Sequence, residues 1–170
     1  QQEAQDDRHV QPHLRGREAA NVRARAEVLD LEFAAQPADL PRTRFWHWVL
    51  VDMPPSVSEI PAGFAADGTT ARGKREPRGP QGSRQGLNDY TLWFASDKDM
   101  AGQYFGYDGP CPPWNDTLLH HYHFTLYAID LARCPVEGAF TGQQVKDAIA
   151  RHVLAEATLT GTYSLNPAVK

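Results

Sequence analysis

The sequence predicts a mainly β domain with peripheral helix. Three observations lead there: a strand-like run over residues 45–53, a second over residues 120–129, and 13 prolines with 13 glycines among 170 residues, the punctuation of a loop-rich β protein. Hydrophobic residues make up 41% and charged residues 22%, which suits one globular domain with a sizeable core.

These bounds also exclude function classes. A net charge of −4 gives no reason to expect nucleic-acid binding or attraction to an anionic membrane surface. The longest apolar runs are far too short to span a bilayer, and no basic segment followed by an apolar one opens the sequence. The expectation is a cytoplasmic protein with no stable membrane insertion. Cys111 and Cys134 lack the CxxC spacing of a zinc ribbon or redox pair, and no disulfide between them is implied.

The chain divides by composition into residues 1–38 and 39–170. The first part has no Tyr or Trp and is rich in Arg, Ala, Gln and Glu. Val22, Ala26, Leu29 and Phe33 recur at near-helical spacing, with Val28, Leu31 and Ala35 widening the stripe and Asn21 as a cap. Two readings stay open for this atypical N-terminal arm: a short amphipathic helix over residues 21–35, or a poorly ordered tail.

From Phe45 the character changes. Strict alternation places Phe45, His47, Val49, Val51 and Met53 on one face and Trp46, Trp48, Leu50 and Asp52 on the other. Both faces are apolar, which marks a central strand covered on both sides and stopped by Pro54-Pro55. Residues 62–88 read as a long, mostly positive loop with a short strand near residues 69–74. Leu92-Trp93-Phe94 reads as another short strand, and residues 97–104 as a helical turn. Pro110, Pro112 and Pro113 make the following stretch a rigid loop, because proline lacks an N–H and fixes φ.

The second central strand covers residues 120–129, with His120, Tyr122 and Phe124 on one face and His121, His123 and Thr125 on the other. Thr141 and Gln144 form a capping-box pattern that opens a helix predicted over residues 142–157. A last strand is expected over residues 158–165, stopped by Asn166-Pro167.

His47 and His120 are the candidate functional side chains, since both sit on otherwise apolar faces and the second follows the rigid loop. Imidazole donors beside outward-facing backbone N–H groups suit a phosphate or carboxylate, and Tyr122 can add a hydroxyl. Alternation sends His121 to the face opposite His120, so the histidines of this strand do not converge on one metal ion. Asp108, Asp116 and the histidines could be assembled into an acid–base pair, but no nucleophile elbow, phosphate-binding glycine loop or zinc spacing supports an enzyme, and no cofactor is implied.

Phe-Trp-His-Trp followed by Val-Leu-Val-Asp-Met-Pro, then Gly-Pro-Cys-Pro-Pro, then His-His-Tyr-His-Phe-Thr-Leu-Tyr-Ala-Ile-Asp together resemble the phosphatidylethanolamine-binding protein family, in its bacterial Raf kinase inhibitor-like branch. The resemblance covers about residues 39–167. It implies a large antiparallel sheet packed against a smaller one with peripheral helices, and a pocket at one end of the sheet for phosphate-like headgroups. It assigns that pocket to His47, Cys111, Pro112, Pro113, His120 and Tyr122, with His121 standing where the family carries arginine. It also permits a protein-interaction role, inhibiting a kinase or protease, with the basic loop of residues 72–84 as the candidate surface, and it is compatible with a homodimer. The departure lies upstream. No Asp-Pro-Asp precedes Trp46, so the expected pocket lacks the family's carboxylate, and the N-terminal strands are expected to be replaced.

Overall fold

The computed structural model describes residues 44–64, 68–74 and 79–169, together with the backbone of residues 23–30. Five strands form one antiparallel sheet in the order β3-β2-β1-β4-β5. They are β1 (Arg23–Asp30), β2 (Phe45–Val51), β3 (Arg84–Gln85), β4 (His120–Ile129) and β5 (Val153–Tyr163), with the helices α1 (Tyr90–Trp93) and α2 (Gly142–Ile149) between them.

The two central strands predicted from sequence are present, and all seven residues of β2 are buried. The face assignment of β2 is corrected. Val28 and Leu29 of β1 pair with Trp48 and Trp46, so His47 is an extra residue of β2 with no partner across the ladder. Such a bulge turns the alternation over at that point. Trp46 therefore packs with Val49 and Val51 beneath α2, while Trp48 packs with Leu50 and Met53 on the opposite face.

The N-terminal helix is corrected as well. Residues 23–30 are a strand, paired with β2 on one side and β4 on the other. A full ladder with β4 and a second over Glu27–Asp30 with β2 outweigh a helical spacing worth a few tenths of a kcal/mol per residue. Residues 21, 22 and 31–35 of that expectation lie outside the described residues.

Three further expectations change. The chain at residues 69–74 is a turn, with Gly73 N donating to Thr70 O at 2.8 Å. Leu92 and Trp93 belong to α1 and not to a strand, because Tyr90 and Phe94 stack one turn apart at 5.5 Å. Helix α2 starts at the predicted capping box but stops at Ile149, where His152 N closes a turn on Ile149 O at 2.8 Å. The residues expected to continue it open β5 instead. The helical turn after Asp97 is present, with Ala101 N donating to Asp97 O at 2.7 Å.

The core follows from the turned-over alternation. One layer joins Trp46, Val49 and Val51 to Tyr127 and Ile129 of β4 and to Val145 and Ile149 of α2. The other joins Trp48 and Leu50 to Tyr107 and, at its margin, Phe124. Phe45, Tyr90 and Tyr104 make a third cluster at the end of the sheet. Gly142 is required at the α2 start, since a Cβ there would stand 2.3 Å from the Trp46 ring.

Candidate functional site

β2 and β4 run in the same direction with β1 between them, so the early residues of both strands meet at one end of the sheet. The last residue of β1, Asp30, is placed by its backbone opposite Phe45 on one side and Tyr122 on the other. There the bulge turns His47 onto the face that carries Tyr122. The His47 ring lies 4.6 Å from Phe45, 5.8 Å from Tyr90 and 5.4 Å from Tyr122, centroid to centroid. Tyr122 in turn stacks on His120 at 6.4 Å. All three predicted ring residues are thus brought together, and all are buried.

The rigid loop joins them through Asp116, which the sequence offers only as part of an acid–base pair and not as a pocket residue. His120 Nε2 donates to Asp116 Oδ2 at 2.7 Å. Asp116 is fixed from three sides: its N–H donates to Pro113 O, its Oδ1 accepts from Leu118 N, and its carbonyl accepts from Asn166 Nδ2 at 2.7 Å. Pro112 is buried and Pro113 half-buried, whereas Cys111 is exposed and carries a free thiol. The loop therefore reaches the histidines by way of Asp116.

The expectation of a site without carboxylates is also corrected. Asp116 is bonded to His120, and His47 is near enough to favour the charged forms of Asp89 and Asp108 slightly. Burial pushes the Asp108 carboxyl above the ordinary carboxylate range, against the opposing pull of the Asn88 amide, Lys74 and His47. Asn88, itself buried, donates from Nδ2 to Asp108 Oδ2 at 2.8 Å and to Gly106 O at 3.0 Å. The Lys74 ammonium stands 3.5 Å from Asp108 Oδ1. Asp89 is raised by burial too, and it anchors the start of β2 by accepting from Trp46 N at 2.8 Å. The hint in the sequence was Asn88-Asp89 just before an aromatic run, which the glycine-rich surroundings led us to read as loop.

The basic loop is only partly an outward surface. Arg84 points inward, donating to Asp52, to Val136 O at 2.5 Å and to Cys134 O at 2.9 Å. Lys74 turns toward Tyr107 O and Asp108. Residues 75–78 lie outside the described residues. Among the described residues, no helix is long and apolar enough to cross a membrane.

Comparison with known proteins follows the same lines. The family model for phosphatidylethanolamine-binding protein matches residues 4–164, so the match includes β1. The UPF0098 protein YbhB of Escherichia coli is 32% identical over 120 residues, covering 71% of this chain and 62% of YbhB. The UPF0098 protein PH1269 of Pyrococcus horikoshii is 32% identical over 136 residues, covering 80% of this chain and 58% of that protein. The chain therefore spans about three fifths of the length of these two relatives. Among solved structures, Escherichia coli YbcL, described as a member of the mammalian PEBP family, superposes with a TM-score of 0.58 at 27% identity, covering 88% of this chain and 75% of YbcL. With motifs, fold and family match in agreement, this chain belongs to the phosphatidylethanolamine-binding protein family.

Proposed function

We propose that the chain binds a small anionic ligand, of phosphate or phospholipid-headgroup type, at the end of the sheet without transforming it. The observation that carries this reading is the convergence of His47, Tyr122 and His120 through a bulge whose effect is to re-aim one imidazole. Bulges beside sites commonly serve to re-aim side chains in this way. Two imidazoles and a phenol offer convergent donors, and the backbone of the loop around Pro112 and Pro113 can add N–H groups.

The carboxylates modify the chemistry without opposing it. Asp116 orients His120, as a carboxylate fixes an imidazole in many binding and catalytic sites. The Lys74 ammonium 3.5 Å from Asp108 offsets that carboxylate, so it opposes an incoming anion less than an unpaired one would.

Calorimetric titration with inorganic phosphate and with phosphoethanolamine tests the reading. Saturable binding that weakens at least tenfold in His47→Ala supports it. Identical weak heats from the native protein and His47→Ala, both folded, would end it.

A further inference from the structure

Asp108 keeps one acceptor unused. Its side chain is 1% exposed, and Oδ2 accepts from Asn88 Nδ2 at 2.8 Å. Oδ1 is buried as well and accepts no hydrogen bond among the described residues. The Lys74 ammonium stands 3.5 Å from it and reaches Tyr107 O at the same 3.5 Å. A charge-assisted bond closes to about 2.7–2.9 Å, so Lys74 offsets the charge without filling the acceptor. A buried carboxylate oxygen left in this state calls for a reason.

Both groups are held at the wall of the histidine site. Asn88 donates to Asp108 and to Gly106 O, while its Oδ1 accepts from the N–H of Tyr90, whose ring meets His47 at 5.8 Å. Tyr107, one residue before Asp108, packs on Trp48 at 5.6 Å and on Phe124 at 6.2 Å. These are strand neighbours of His47 and Tyr122. Lys74 is placed by two interlocked glycines. A Cβ on Gly73 would stand 1.9 Å from Gln103 O, and one on Gly102 would stand 2.1 Å from Arg72 O. The turn before Lys74 therefore lies tight against the segment that leads to Asp108.

We propose that Lys74 and Asp108 make the site selective for a phosphate group that carries a proton, as inorganic phosphate or a phosphate monoester, over sulfate or a phosphodiester. This selectivity presupposes the anion site proposed above and names its ligand class. A hydrogen-phosphate group presents anionic oxygens and one P–OH. The imidazole, phenol and ammonium groups suit the oxygens, and Asp108 Oδ1 accepts from the hydroxyl. Sulfate at neutral pH and a diester have no proton to offer. Each sets a bare oxygen against the carboxylate and leaves both without a partner. An ammonium on the ligand suits Oδ1 less well, because Lys74 already brings the same charge to that oxygen.

Calorimetric titration of the native chain at neutral pH with inorganic phosphate, sulfate and dimethyl phosphate tests the selectivity. Phosphate should bind about tenfold more tightly than either, or better, since one charged hydrogen bond is gained or refused. Asp108→Asn is the deciding variant. Asn88 Nδ2 holds the new carbonyl at the Oδ2 position, so the new amide nitrogen replaces Oδ1 and offers a donor where an acceptor stood. Sulfate should then bind at least as tightly as phosphate. Lys74→Met should weaken both anions and keep their ratio, with circular dichroism checking the fold of both variants. Phosphoethanolamine, titrated beside phosphate, tells a monoester from the free ion by which binds more tightly, and both should exceed sulfate. Equal affinity of the native chain for phosphate and sulfate would overturn the selectivity and leave the anion site standing. So would a phosphate preference that survives Asp108→Asn. No binding of either anion would overturn both.

Discussion

The His47 ring stands 5.4 Å from the Tyr122 ring because β2 holds one residue more than β1 between Trp46 and Trp48. Without the extra residue, strict alternation would run unbroken, and Trp46 and Val49 could not share a face as they do. The bulge thus serves the core and the site together. It lets both tryptophans pack on opposite layers while an imidazole is aimed at β4.

Asp116 should behave as a positioning residue for His120. Both are buried, and the bond between them is 2.7 Å. Removing the carboxylate in Asp116→Ala leaves a buried imidazole donor unsatisfied, at a cost of about 1–3 kcal/mol. Urea denaturation should show the midpoint falling, and phosphate binding should weaken in parallel. The Asn variant should recover part of both losses.

Asp108 gives a pH dependence whose sign is fixed by its environment. Burial raises its pKa above the unfolded value, so the folded chain holds this proton more tightly than the unfolded chain does. The favourable contribution is complete below the ordinary carboxylate range near 4 and is lost as pH rises through the raised value. Asp108→Asn cannot ionise. Its melting temperature should exceed that of the native chain by a few degrees at pH 8, about 2–4 °C for each 1 kcal/mol, and the advantage should vanish in acid. An equal shift at both pH values would contradict this assignment.

Asp52 ties the segment after β4 to the sheet. It adopts a left-handed backbone (φ 59°), accepts from Cys134 N at 2.7 Å and pairs with Arg84 at 2.7 Å. Arg84 in turn holds the carbonyls of Cys134 and Val136. Replacing Asp52 with Ala leaves the Cys134 N–H without its acceptor and strains the backbone, while Arg84 keeps its two carbonyls and Glu137, so destabilisation should be about 1–3 kcal/mol. Asp52→Asn keeps the bond to Cys134 and should lose less, as equilibrium unfolding of the two variants would show.

Gly142 is set by contact and not by backbone freedom. Its missing Cβ is filled by the Trp46 ring, 2.3 Å from where that atom would stand. Gly142→Ala, though favourable for helix propensity, should destabilise by about 1–3 kcal/mol through overpacking. A truncated partner, Trp46→Leu, should relieve part of that cost in a double-mutant cycle.

What the sequence made legible depended on whether its signals were local. The capping box at Thr141 and Gln144 is contained in four residues, and it held. The runs behind β2 and β4 were dense enough in aromatic and β-branched residues to read as strands by themselves. The faces of β2 were not legible, because the extra residue is defined only against β1. β1 was itself misread, since its Ala, Arg and Glu content favours helix until β4 along its whole length and β2 over Glu27–Asp30 take up its backbone. Likewise His47, His120 and Tyr122 could be picked out singly, whereas Asp116 and Asn88 owe their places to tertiary hydrogen bonds that leave no local pattern.

The most direct test of the binding site is a two-dimensional NMR titration of the histidine side chains with inorganic phosphate. His47 and His120 should shift together and saturate at one ligand concentration, while His152, paired with Asp130 at the far end of β4, should not move. A well-dispersed spectrum in which neither His47 nor His120 responds would contradict the assignment of this site to an anion.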